Sequence, residues 1–253
     1  MRCAFILAIM AVTAALALNA AGADLSAGDF LRLAAQRSAL NDSYAVLRGQ
    51  ISHLRKNAGG AEYYPIVFEV LFRPAEMRGR LALDGKETYD IRRVVGAPNI
   101  SAAAATRDQQ SLLNRLGMEI SDLSMGFLDY PVRGEEPLER VKTVDCRVLL
   151  LDAPDGGTVK TWISREYLFP VRAEFYAPGH YLKDKPERTL EVTGFKKIDR
   201  YYVVTDFAIL GREWRTRIAF DDCKVGKNNT PEADNLFRLL NGANPVESTH
   251  AER

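Results

Sequence analysis

From residue 66 the chain alternates at a period of two: Ile66, Phe68, Val70 and Phe72 fall on one side, Val67, Glu69, Leu71 and Arg73 on the other. That is the side-chain repeat of a strand, and Pro74 ends it. Leu81 and Leu83 lead into Asp84-Gly85-Lys86, and Tyr89, Ile91 and Val94 follow, which predicts a hairpin with Asp-Gly at its turn. The pattern breaks in the middle. Pro98 to Ala105 reads as loop, Thr106 with Gln109 makes a capping box, and Leu112, Leu113 and Leu116 recur at helical spacing before Gly117 stops the turn. A second helical piece, Ser121 to Leu128, ends at Tyr130-Pro131.

Strands resume from Glu135. Cys146, Val148 and Leu150 alternate with Arg147 and Leu149; Asp155-Gly156-Gly157 then turns the chain into Val159, Thr161 and Ile163. Phe169, Val171, Ala173 and Phe175 make the next apolar face, and the series runs on through Leu190 and Val192, Tyr202 and Val204, and Trp214 to Phe220. About nine to eleven antiparallel strands and two or three helices, without a βαβ rhythm, define an α+β class built on a large curved sheet. Before the first strand, Ser26 and Asp29 cap a helix whose face carries Phe30, Leu33, Ala34 and Arg37 and which is expected to end near Leu40, ahead of a turn at Asn41-Asp42-Ser43. That helix plugs the sheet or packs outside it; the sequence leaves both open.

Residues 1–23 read as an export signal: Arg2 is the basic start, Ala4 to Leu18 are almost all apolar, and Ala21-Gly22-Ala23 is a small-x-small cleavage site before Asp24. The only cysteine of this segment, Cys3, precedes the apolar run, so no lipid anchor is expected. The run is also shorter than the ~20 residues that span a bilayer core. The mature chain is therefore expected to be soluble and periplasmic, with one domain over 24–241 and a disordered tail over 242–253. Removing the signal takes Arg2 and no acid from 34 Lys+Arg against 33 Asp+Glu, leaving 33 of each. Nothing in that balance suits nucleic acid, which needs a clustered basic excess. Between Arg73 and Arg93 the cations are interleaved with Glu76, Asp84, Glu87 and Asp90, as on a solvated sheet face. Two cysteines survive processing, Cys146 and Cys223; in an oxidising compartment they either pair or stay as small buried side chains.

The order of several short motifs is specific where each alone is not. Phe72-Arg73-Pro74 followed by Asp84-Gly85-Lys86 resembles the Arg-Pro and Asp-Gly-Lys segments of the periplasmic lipoprotein carrier LolA. Asp122-Leu123-Ser124, Phe127-Leu128, Tyr130-Pro131, Gly134-Glu135-Glu136, Cys146-Arg147-Val148-Leu149, Trp162-Ile163-Ser164 and Leu168 to Arg172 are similar to the wider group of outer-membrane lipoprotein-sorting proteins. The resemblance spans most of 43–225, except that 99–129 does not follow LolA. It implies an incomplete, strongly curved antiparallel β-barrel under a helical lid, with a cavity for acyl chains. Phe68, Val70, Phe72, Leu81, Phe169, Val171, Phe175 and Trp214 would line that cavity, and Leu112, Leu113, Leu116 and Phe127 would carry the lid. Aromatic residues at period two, Tyr89, Tyr202 and Phe220 included, also suit a simply packed core. The resemblance gives Arg73 the part of coupling the lid to the cargo; the alternative is a surface pair with Glu69 or Glu76. The implied partners are an acylated lipoprotein or lipid and a receptor in the inner or outer membrane.

Catalysis has little to stand on. The chain has no Gly-x-Ser-x-Gly, no phosphate-cradling glycine loop and no His-x-x-x-His pair; His53, His180 and His250 are scattered. No cofactor and no metal are expected. Glu135-Glu136 and Asp221-Asp222 point to opposite faces if extended, so neither pair acts on one bond. A sensor or adaptor that binds an envelope protein, and a purely structural protein, are the rival classes.

Overall fold

The computed structural model describes residues 25–38, 42–73, 76–94, 96, 100–104, 111–180, 184–199 and 201–240. The expected signal, the 242–253 tail and the Thr106–Gln109 capping box lie outside the described residues.

Among the described residues, twelve strands make one sheet. β1 (Ser43–Arg55), β2 (Glu62–Arg73), β3 (Glu76–Leu83), β4 (Glu87–Val94) and β5 (Ile100–Ala104) form one meander. β6 (Val132–Val141), β7 (Val144–Asp152), β8 (Thr158–Ser164), β9 (Pro170–Tyr176), β10 (Arg188–Ile198), β11 (Tyr201–Gly211) and β12 (Trp214–Lys227) form the other. The meanders join where β1 pairs antiparallel with β12, so the order is β5-β4-β3-β2-β1-β12-β11-β10-β9-β8-β7-β6. The sheet therefore does not close, and its two edges, β5 and β6, are consecutive in the chain. Their connection must cross from one edge to the other. It does so through α2 (Leu112–Arg115), α3 (Ile120–Ser124) and a 3-10 turn (Gly126–Asp129). The lid expected from the resemblance is thus the crossover itself.

The turns follow their residues. Asp84 (φ 53°) and Gly85 (φ 63°) both take positive φ, the requirement of a two-residue hairpin whose twist matches its strands. Gly49 sits at a register shift between β1 and β12, where any Cβ would run into the Ala219 backbone, so the sheet bends there. Inward side chains of both meanders merge into one core with the lid residues Leu113, Leu116 and Phe127. α1 (Ala27–Ser38) starts at the expected cap, with the Asp29 amide donating to Ser26 Oγ at 3.1 Å. It enters the concave side: Phe30 and Ala34 are fully buried, and the Arg147 guanidinium lies 4.6 Å above the Phe30 ring while donating to Leu25 O. Burying Phe30 contributes on the order of 2 kcal/mol. α4 (Pro231–Leu240) packs outside, against β2 and β3.

Several expectations are corrected. β1 was not marked by its pattern, because Ser43, Ala45 and His53 take inward positions that alternation reads as polar or small. Residues 100–104 are a strand rather than loop: an alanine-rich run has little strand preference and is held by pairing with β4. The helical piece expected over Ser121 to Leu128 is split, because Met125 adopts φ 51° and separates α3 from the 3-10 turn. Cys146 and Cys223 are not bonded. They lie on β7 and β12, Cys146 in a small cluster with Val148 and Trp162, Cys223 against the main core, and burial raises the Cys146 thiol to about 11. Glu135 and Glu136 do diverge, one to Arg147 and the other to Lys160.

Candidate functional site

The β6–β7, β8–β9 and β10–β11 hairpins turn at one end of the sheet, and a cavity of about 460 Å³ opens there. Volumes of roughly 300–1,000 Å³ are typical of small-molecule sites. Its floor comes from β1, β2 and β3 through Ala45, Leu47, Phe68, Val70, Phe72 and Met77. Phe207 and Phe220 of β11 and β12 form one wall, their rings 6.4 Å apart. Leu123, Ser124 and Met125 of the lid form the roof, and Phe169, Val171, Phe195, Tyr201 and Tyr202 surround the mouth. Among the described residues no charged side chain lines it. Its lining is mostly apolar, with hydroxyls only from Ser124 and the tyrosines Tyr167, Tyr201 and Tyr202 among the described residues, which suits an apolar body.

Two buried arginines fix the roof from opposite halves of the sheet. From β4, Arg93 pairs through Nε with Asp129 Oδ2 at 2.5 Å and donates from Nη1 to Ser124 O at 2.9 Å. Both side chains are 1% exposed, and Asp129 also accepts from the Gly96 amide. From β10, Arg188 lies between Asp122 (2.5 Å) and Glu119 (2.8 Å), with its guanidinium 3.8 Å above the Phe175 ring. Burial works against the Arg188 charge, but Asp122 and then Glu119 outweigh it and hold its pKa above the usual arginine value. Because fully buried Asp122 and Ser124 flank Leu123, the lid residues over the cavity sit directly between these two anchors.

A third tie holds α2. The Leu112 amide donates to Glu87 of β4 at 2.7 Å. At its other end, Gly117 N donates to Asn114 O and Met118 N to Leu113 O, a Schellman stop with Gly117 at φ 65°. Trp214 covers Gly117 so closely that a Cβ there would enter the indole. Beneath it, Arg55 Nε donates to His53 Nε2 (3.3 Å), which leaves the hydrogen on Nδ1, facing Thr216 Oγ1 at 2.8 Å; Thr216 in turn donates to Leu116 O.

Against the expected site, the structure brings Phe68, Val70, Phe72, Phe169 and Val171 to the cavity. Leu81, Phe175 and Trp214 are elsewhere: Leu81 is fully buried in the core, Phe175 packs edge-on against Phe127 at 5.7 Å, and Trp214 faces His53 and Gly117. Leu112, Leu113, Leu116 and Phe127 are buried lid residues, but Leu123 to Met125 reach the cavity. Arg73 is exposed at the end of β2, opposite Glu76. Arg93 and Arg188 are bonded to the lid, and Arg93 lies in a run whose alternating charge reads as solvated.

The open sheet and its edge-to-edge crossover define a fold class, and solved structures share that fold. An outer membrane lipoprotein-sorting protein domain from Vibrio parahaemolyticus superposes with TM-score 0.59 at 16% identity, covering 83% of this chain and 97% of that one. A DUF1329 family protein from Desulfovibrio piger gives 0.54 at 16% identity over 78% and 91%. A LolA superfamily protein from Nitrosomonas europaea gives 0.51 at 16% identity over 82% and 96%. The fold is LolA-like. No family model matches the sequence. The ribose import ATP-binding protein RbsA 2 of Rhizobium meliloti is 30% identical over 122 residues, 47% of this chain and 23% of that protein; its Rhizobium etli counterpart is 30% identical over 112 residues, 44% and 21%. The chain thus spans under a quarter of these curated relatives, and its sequence has no Gly-x-x-x-x-Gly-Lys-[Ser/Thr] phosphate loop.

Proposed function

We propose that the chain is an exported, non-catalytic carrier that shelters the acyl chains of a lipoprotein or lipid in its cavity, in the manner of lipoprotein sorting. The observation that carries this reading is a cavity lined by no charged side chain among the described residues, walled by strands of both meanders and roofed by the crossover. Transfer of methylenes into such a space is worth about 0.8 kcal/mol each, so ten buried methylenes supply roughly 8 kcal/mol, a micromolar affinity before ordering costs. Membrane delivery fits a lid held by separable anchors, since a receptor that binds the open form better shifts the lid by its differential affinity. Export through the segment 1–23 supplies the compartment. The test is native mass spectrometry and lipid extraction of the mature chain purified from periplasm, with fatty-acid titration of the delipidated protein. A stoichiometric acylated species, or saturable fatty-acid binding lost in Val70→Asp, is expected. An empty chain that refuses fatty acid would overturn the carrier reading in favour of an adaptor.

A further inference from the structure

One element at the cavity mouth is joined to the sheet on neither side. β9 pairs with β10 only over Arg188 to Glu191, and β11 pairs with β12 only from Asp206 to Leu210. The β10–β11 ladder nevertheless continues to Ile198 opposite Tyr201. Among the described residues, the outer half of this hairpin has no strand partner on either flank. Its departure is marked by register shifts on both sides of Gly194, where a Cβ would meet the Asp206 side chain. Isolated two-stranded hairpins are marginal in water and need a further surface.

The arm's side chains show which surface. Phe195 and Tyr202 are 48% and 57% exposed and stand beside Phe169 and Tyr167 of the neighbouring turn, at 5.6 and 6.1 Å between rings. Tyr167 is itself 46% exposed. Large apolar rings left in water at a cavity mouth are unusual unless something covers them. The tip sequence, Phe195-Lys196-Lys197-Ile198-Asp199-Arg200-Tyr201-Tyr202, carries three cations and one acid in a chain whose mature charge is balanced. Lys196 and Lys197 are exposed and form no ion pair among the described residues, and the Lys197 ammonium lies 5.7 Å from the Tyr202 ring. Lys142 is exposed on the β6–β7 turn, at the same end of the sheet. Tyrosine rings, apolar rings and lysines on one protruding tip match the headgroup region of a bilayer, where rings enter the acyl boundary and lysines meet anionic phosphates.

We infer that the β10–β11 arm is a membrane-docking element: it seats the cavity mouth on a bilayer surface rich in anionic headgroups. Docking there puts the cavity opening against the acyl region, so lipid enters without crossing water. This rests on the carrier reading for its purpose but not for its test. Mature chain is sedimented with vesicles of phosphatidylcholine, alone or with 30% phosphatidylglycerol, in low and high salt. Binding to the anionic vesicles is expected, at least about tenfold stronger than to the neutral ones and weakened by salt. Lys196→Glu/Lys197→Glu is expected to lose about tenfold in vesicle binding while taking up fluorescent fatty acid in vesicle-free buffer as before. In Phe195→Trp, brominated lipid is expected to quench the added indole. No sedimentation at low salt, or a lysine variant that sediments like the parent, overturns the docking. Vesicle binding without fatty-acid uptake would instead sink the carrier reading and leave the docking standing.

Discussion

At the scale of single residues, the lid depends on groups that do more than one thing. Arg93 satisfies Asp129 and Ser124 O together, in a site closed to water. Removing one member of such a pair leaves a buried charge and typically costs about 3–5 kcal/mol, whereas removing both costs far less. Arg93→Met is therefore expected to lower the urea midpoint sharply and Arg93→Met/Asp129→Leu to recover most of the loss; additive losses would show that the pair is not coupled. Gly117 carries a left-handed backbone and the Trp214 ring at once. Gly117→Ala is expected to destabilise by more than the ~1 kcal/mol of a left-handed alanine alone, and near-neutral behaviour in thermal unfolding would contradict the packing. His53 titrates below the ordinary value of 6.5, because burial, then Arg55, disfavours the imidazolium, with Glu62 opposing. A lowered folded pKa means that the unfolded chain binds more protons in the window beneath 6.5, so stability is complete above 6.5 and falls as pH drops toward the folded pKa. A charged ring would turn an Nε2 hydrogen toward the Arg55 guanidinium and lose that bond, while Nδ1 keeps its hydrogen toward Thr216. Urea midpoints at pH 7.5 and 5.5 are expected to diverge in the parent and to draw together in His53→Gln.

At the scale of elements, what was legible followed the strength of each local signal. β2, the Asp84-Gly85 hairpin, the Ser26 cap and the Gly117 stop were readable because alternation, turn chemistry and capping are written within a few residues. β1 and β5 were not, because one fills inward slots with serine, alanine and histidine and the other is mostly alanine; both are strands by virtue of their neighbours. The arginine at the lid was equally hidden. Arg92 and Arg93 look alike in the sequence, and only the pleat decides that Arg92 meets Glu76 outside while Arg93 turns inward to Asp129. The lid itself follows from order: once β5 and β6 are the two edges, their connection has to cross the sheet. Met125 is the bend in that crossing, at φ 51° in a non-glycine residue and with its side chain in the cavity roof. Left-handed backbone in such a residue costs on the order of 1 kcal/mol. Met125→Gly is expected to ease the bend by about that much yet remove a buried side chain from the roof, giving lower stability in urea and faster release of a bound fluorescent fatty acid. Unchanged release kinetics would show that Met125 does not cover the ligand.

At the scale of the whole molecule, the cavity lies where the two meanders and the crossover meet, so its occupancy should be felt by the global fold. Phe68 and Val70 belong to one meander, Phe207 and Phe220 to the other, and Leu123 to the roof that connects their far edges. A ligand that binds only this assembled state stabilises it by mass action, about 2.7 kcal/mol at one hundred times its Kd. For a domain of this size each kcal/mol moves Tm by roughly 2–4 °C, so a saturating long-chain fatty acid is expected to raise the Tm of delipidated protein by about 5–10 °C. The rise should grow with chain length until the cavity is full and then level off, which a surface-adsorbed detergent effect would not do. Val70→Asp should abolish the shift by placing a carboxylate among apolar walls, where ligand burial would have to desolvate it. A Tm that ignores every acyl length would mean that the space between the meanders is not where an apolar ligand binds.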